Sequence, residues 1–288
     1  MKKLFPNQLF PKLCASALFT TILCLNPAQA EIEIEFKHVD ESGIEHQNHT
    51  CSVKGDTIDF AEMQNLLHDL RTGATRVLEI DIDTFDATPL IMGLFGTNVH
   101  TLVIDSIAFT MDCTTLAHPA NPLNMADFPL QKLNISLSDA DKTIDMPGFA
   151  HGIMALNQCP TFIEFGLNNF GNEFFTPFVV GALQTLDHVT YLSLTENDLE
   201  LDSLFTILNG QNHTYPRTYD FTHNDEGGLI TTEDLENHPN FTQWLQTVAA
   251  LAEGSEVLFG DMDHPATFVA SHGATQFNGV YYPLGTPE

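Results

Sequence analysis

Positive charge is what this chain lacks most. It holds 10 Lys and Arg against 38 Asp and Glu, a formal net charge of −28. Such a surface repels phosphate backbones and anionic lipid headgroups, so nucleic acid is excluded as a natural partner. It favours a protein partner with a basic surface, a cationic peptide or a metal ion. A solvated acidic shell that serves solubility alone accounts for the same composition.

A membrane-spanning run is also missing. The apolar stretch LCASALFTTILCL is too short to cross a bilayer comfortably. It follows the basic start MKK and precedes NPAQA, with Ala28 and Ala30 at the small-residue positions of a cleavage site. That order reads as a secretory signal peptide over residues 1–30. The competing reading is an uncleaved N-terminal anchor. No lipid-attachment pattern surrounds Cys14 or Cys24. Removing residues 1–30 takes three of the ten cations and no acid, leaving −31. A secreted or periplasmic protein with no membrane insertion after cleavage is expected, and the cleavage site fits bacterial export.

Paired cysteine motifs are absent as well. Outside the signal stand Cys51, Cys113 and Cys159, an odd number that permits at most one internal disulfide. No C-x-x-C supports a structural zinc site or a thioredoxin-like motif. G-x-S-x-G, H-E-x-x-H, the P-loop and G-x-G-x-x-G are all lacking, so no catalytic residue can be named and no cofactor is expected. Asp261, Asp263 and His264 in DMDH have oxygen and imidazole donors suited to a divalent metal. An acidic cluster in a tail reads more readily as solvent-facing. His46 and His49 read as part of a polar loop. Asp81, Asp83 and Asp86 lack the glycine and distant glutamate of a helix–loop–helix calcium site.

What the chain does have is recurrence. HVTYLSLTENDLELDSL places Val189, Leu192, Leu194, Asn197 and Leu199 on the pattern L-x-x-L-x-L-x-x-N-x-L. Further copies follow the same pattern, the one at 160–170 specific and the outer ones degenerate. They are Leu78, Ile80, Asp83 and Phe85; Val99, Leu102, Ile104, Ile107 and Phe109; Leu130, Leu133, Ile135, Ser138 and Ala140; Ile163, Phe165, Asn168 and Phe170; and Tyr219, Phe221 and Asn224. The asparagine position steps through 83, 107, 138, 168, 197 and 224, a spacing that suits one supersecondary unit repeated along a solenoid. Ile107, Ser138 and Glu226 depart from the pattern.

These copies resemble the leucine-rich repeat family over roughly residues 75–226. The resemblance implies an α/β solenoid, a horseshoe with a parallel concave sheet, helices on the convex side and a cap at each end. The expected division is 31–74 for the N-terminal cap, 75–230 for the repeats and 231–288 for the C-terminal cap and tail. Each L-x-L core should form a short strand with alternating inward and outward side chains. An asparagine after it can satisfy backbone groups freed by the turn, and Asn168, Asn197 and Asn224 should stack as a ladder.

Helices are expected in NEFFTPFVVGALQTLDH, with Phe178, Val179, Ala182 and Leu183 at helical spacing, and in MPGFAHGIMALNQ and LDSLFTILNGQ, and irregular loop over 111–128. In the caps, EIEIEF reads as a strand. A helix over 56–73 should set Phe60, Met63, Leu66, Leu67 and Leu70 on one stripe. A second should set Phe241, Trp244, Leu245, Val248 and Leu251 on one face. SEVLF reads as a seventh strand, and the tail as a last strand and loop.

The concave face is the expected binding surface. Counting back from the asparagine position, its outward residues include Glu79, Asp81, Asp105, Phe162, Glu164, Tyr191, Ser193, Thr195 and Asp220. Phe162 and Tyr191 should lie side by side among the carboxylates, an arrangement suited to recognising a basic protein. The sequon at Asn134 falls on this face, while those at Asn48, Asn212 and Asn240 fall elsewhere. The leading function is an exported binding protein, a host-interaction factor if the source bacterium lives in a host. A secreted hydrolase with a site within 255–288 and a structural envelope component are the alternatives.

Overall fold

A computed structural model of the chain describes residues 32–38, 49–112, 125–137, 146–209, 211, 213–224, 232–261, 265–271 and 274–283. The expected signal segment, His46, Cys113, Ser138, Glu226, Asp263, His264 and the sequons at Asn48 and Asn212 lie outside the described residues.

The fold is α/β, built on one 13-stranded, mostly parallel sheet with helices packed on one face. Its strands are β1 (Glu33–His38), β2 (His49–Thr57), β3 (Thr75–Asp86), β4 (Thr101–Ser106), β5 (Ala108–Thr110), β6 (Lys132–Leu137) and β7 (Glu164–Asn168). They continue with β8 (Tyr191–Ser193), β9 (Thr218–Thr222), β10 (Glu256–Gly260), β11 (Ala266–Ser271), β12 (Ala274–Phe277) and β13 (Val280–Pro283). Order in the sheet follows order in the chain, with β5 alongside β3. From β2 to β10 every neighbouring pair is parallel. β1 closes one end antiparallel to β2, and β11 to β13 form an antiparallel meander at the other.

Register follows the buried side chains. Leu78, Leu102, Leu133, Phe165, Leu192 and Tyr219 fall opposite one another across six strands. All are at most 1% exposed. Burying each apolar side chain of this size contributes roughly 1.5–3 kcal/mol, which fixes the register because a one-residue slip would turn each strand's apolar set to the other face. The phenylalanine copy departs from expectation by two residues. Phe165, not Ile163, takes the buried rung, and Ile163 is 39% exposed. FIEFGLNNF carries apolar residues at both 163 and 165, so its alternation fits either frame, and packing selects the larger aromatic.

The turns after β7, β8 and β9 share one geometry. Asn169, Glu196 and His223 each adopt positive φ, at 59°, 59° and 57°, four residues beyond Phe165, Leu192 and Tyr219. In the next position Asn197 and Asn224 turn their amides inward. Asn197 Nδ2 donates to Leu167 O at 2.7 Å, and its Oδ1 accepts from Phe170 N at 2.7 Å. Phe170, not Asn168, occupies the equivalent place in the preceding unit. There Asn169 reaches the Leu137 carbonyl instead. At the Ile107 turn, the buried Ser106 hydroxyl lies 2.7 Å from Ile82 O and stands in for the missing amide.

The helices are α1 (Phe60–Thr72), α2 (Ala87–Gly93), α3 (Met146–Leu156), α4 (Pro177–Gln184), α5 (Leu201–Leu208), α6 (Thr232–Asn237) and α7 (Phe241–Ala249). α1 starts at a reciprocal cap: Glu62 N donates to Asp59 Oδ1 and Asp59 N to Glu62 Oε2, both at 2.8 Å. α4 starts with Thr176 as N-cap and Pro177 in the first turn. Successive helices pack side by side, α1 on α2, α3 on α4, α4 on α5 and α5 on α7. Gly93 keeps α2 tight against α1, since a Cβ there would lie 2.3 Å from a Leu67 methyl.

Two residues expected on apolar stripes are exposed, Phe60 at 74% and Phe178 at 50%. Each lies in the first turn of its helix. His49 does not sit in a loop but opens β2, whose Cys51 and Val53 are fully buried. Cys51 and Cys159 carry free, buried thiols. No described helix is long and apolar enough to cross a membrane.

Candidate binding face

Because side chains alternate along each strand, the face away from the helices carries three rows. The first runs Val77, Thr101, Lys132, Glu164, Tyr191 and Thr218. The second runs Ser52, Glu79, Val103, Asn134, Gly166, Ser193 and Asp220. The third holds Lys54, Asp81, Asp105, Ser136 and Asn168. Glu79, Asp81, Asp105, Glu164, Tyr191, Ser193 and Asp220 therefore share one face, and Thr195 reaches it through its hydroxyl. Phe162 does not. It is 1% exposed, with its ring 5.9 Å from that of Phe165. The two-residue frame shift explains this, because Glu164 takes the outward place between Lys132 and Tyr191 that Phe162 was assigned. Among the described residues no aromatic pair stands on the face.

Charge on the face is neutralised unevenly. Over β6 to β9 the polar groups satisfy one another. Lys132 Nζ lies 2.5 Å from Glu164 Oε2. The Tyr191 hydroxyl donates to Asp220 Oδ2 at 2.5 Å, and the Asp220 Oδ1 accepts from the Thr222 N–H and hydroxyl. Burial, then this carboxylate, push the Tyr191 phenol above its ordinary range. Asn168 Nδ2 donates to Asn134 Oδ1 at 2.8 Å, and its own Oδ1 accepts from Thr195 Oγ1 at 2.7 Å. Gly166 makes this possible, because a Cβ there would fall 2.3 Å from Asn134 Oδ1.

Over β2 to β4 the acids are freer. Glu79 accepts one bond from the Ser52 hydroxyl, at 2.7 Å. Asp81 meets Lys54 at 2.8 Å, with both side chains more than half exposed, a pair worth little in water. Asp105 is exposed and has no partner among the described residues. These residues and half-buried Val103 line a groove of about 160 Å³.

Two other polar clusters stand apart. His223 Nδ1 lies 3.8 Å from Glu196 and its Nε2 4.0 Å from Asp261. Among the described residues no three His, Cys, Asp or Glu side chains are placed to hold a metal. The second cluster is buried. Arg217 is 2% exposed, donates to Leu186 O and Gln211 Oε1, and has its guanidinium 5.6 Å from the Tyr219 ring centroid. His213 packs against it, and burial followed by the neighbouring guanidinium push the imidazole down to about 4. The cluster is part of the core beneath β9, with Arg217 and Tyr219 both buried.

Comparison with known proteins yields no match: no family model, no curated protein and no solved structure corresponds to the chain. Sequence reasoning missed β2 and with it Ser52 and Lys54, one wall of the groove. The alternation of Cys51 and Val53 with Ser52 and Lys54 was the available signal.

Proposed function

We propose that the protein is an exported leucine-rich repeat binding module that holds a basic protein surface against the concave face of a horseshoe-shaped sheet. The repeat assignment is supported by the shared register of the six buried rungs, by positive φ at the same offset in three turns, and by the paired amides of Asn197 and Asn224. The binding assignment is carried by one observation, the groove over β2 to β4. It combines Glu79, Asp81 and Asp105 with the apolar side chain of Val103, and its acids are less engaged by the chain itself than those over β6 to β9. A basic side chain entering there gains charge-assisted contacts to carboxylates that have little to give up.

The test is affinity capture from the native surroundings, with bound proteins identified by mass spectrometry. The wild-type chain is compared with a Glu79→Lys, Asp81→Lys, Asp105→Lys variant. Capture of a basic protein by the wild type, lost in the variant while circular dichroism is unchanged, is the expected result. Equal capture by both refutes this face.

A further inference from the structure

The two ends of the sheet are built differently. At one end β1 presents an edge of sequence EIEFKH, in which Glu33, Glu35 and Lys37 alternate with apolar residues. Charged side chains on an edge strand discourage pairing with another chain. At the other end β13 has sequence VYYP and only one neighbour among the described residues, β12. Val280 is 56% and Tyr281 55% exposed, two of the six exposed large apolar side chains among the described residues. Among the described residues no charged side chain stands on β13, and Pro283 at its end removes a single donor from the edge. Residues 265–287 contain no Asp, Glu, Lys or Arg, the longest uncharged stretch of a chain with 38 acids.

We infer that β13 pairs with β13 of a second copy of this chain, joining two sheets into one across a two-fold axis. The uncharged stretch identifies the occupant. Two copies that each carry −28 repel almost everywhere, and only a charge-free strip lets them meet. An oppositely charged foreign partner would gain nothing from this strip.

Hairpin geometry fixes the register. Asn278 and Gly279, at φ 45° and 81°, form the two-residue turn closed by Phe277 and Val280. In such a hairpin the closing pair exchanges hydrogen bonds, so the next residue, Tyr281, turns its N–H and C=O away from β12. Tyr281 then pairs with its own copy on the axis. Val280 falls opposite the partner's Tyr282 on the helix-covered face, where Tyr282 already packs 5.7 Å from the Phe241 ring. An isologous contact of this kind closes at two copies.

Sedimentation velocity of the full chain across a concentration series tests this. A single step from monomer to dimer is expected, strengthened by added salt because salt screens the repulsion between copies. Tyr281→Lys places like charges face to face on the axis, and Val280→Glu buries an acid beside it. Each should weaken the dimer at least tenfold while leaving circular dichroism unchanged. If one variant loses its native spectrum, the other carries the comparison. A wild-type chain that stays monomeric in high salt, a dimer indifferent to both substitutions, or an assembly that grows beyond two copies overturns the inference.

Discussion

The side chain of Asn224 holds the turn at Asn197. Asn224 Oδ1 accepts the Asn197 backbone N–H at 3.0 Å, and Asn224 Nδ2 donates to Leu194 O at 2.5 Å. Asn197 does the same one strand earlier, to the Phe170 N–H and the Leu167 carbonyl. Both amides are at most 1% exposed, so the backbone groups they satisfy have no water to fall back on. Asn197→Leu should cost about 1–3 kcal/mol in urea unfolding, because it leaves a buried N–H and C=O unpaired. Asn168→Leu should cost less, because Asn168 lies half-exposed on the outer face, where water can replace it. Equal losses would deny that the two asparagines differ in role.

That contrast marks how far the sequence could be read. The strands at Leu78, Leu102, Leu133, Leu192 and Tyr219 were legible because each offers one apolar alternation and one turn. The strand at Phe165 was not, since 163 and 165 are both apolar and both stand upstream of an asparagine. Two adjacent asparagines, Asn168 and Asn169, deepened the ambiguity, and the choice between frames rests on packing against β6 and β8. Phe162 was misplaced for the same reason. β2 was hidden by its polar composition, and the meander β11 to β13 by glycines that mark its hairpin turns as easily as a tail. The acids of the outer face were legible as positions. Their partners were not, because Lys54, Lys132 and Tyr191 pair across strands whose register the sequence does not state.

Gly166 is a test of that register. A methyl group there would press on Asn134 Oδ1 and break its 2.8 Å bond from Asn168. In a strand interior, alanine otherwise gains about 0.5–1 kcal/mol over glycine through chain entropy. Gly166→Ala should therefore be net destabilising in the wild-type chain, and neutral or stabilising in an Asn134→Ala background. Urea midpoints of the four proteins in this cycle measure the coupling directly. Additive effects would show that Asn134 does not lie over Gly166.

Thiol chemistry probes the buried face. Cys51 is fully buried, and burial followed by Asp69 and Glu79 push its thiol up to about 12. At pH 7 its thiolate fraction is then on the order of 10⁻⁵. Cys159 is equally buried, with its Sγ near the Phe128 and Leu130 carbonyls. Neither should react with an alkylating reagent in the native protein, and both should react in urea, as read by peptide mass mapping. Fast native labelling of Cys51 would mean that β2 is not held in the sheet.

Acid should weaken the protein through His213. Its side chain is 4% exposed, and its Nδ1 lies 3.3 Å from the Arg217 guanidinium and 3.8 Å from the Asp187 carboxylate. Burial and Arg217 favour the neutral ring and Asp187 opposes them, so the folded state holds the imidazole at about 4 against an ordinary 6.5. Above pH 6.5 the ring is neutral in both folded and unfolded chains and contributes no pH dependence. As pH falls from 6.5 towards 4 the unfolded chain takes up this proton and the folded chain does not, so stability is lost across that window. Allowing for partial solvent screening, the loss attributable to this residue is about 1–2 kcal/mol. His213→Gln cannot titrate. The stability difference between pH 7 and pH 4.5 in urea should therefore shrink by that amount relative to the wild type. The carboxylates that also titrate there are common to both proteins and cancel in the comparison. An unchanged difference would place His213 in solvent rather than against Arg217.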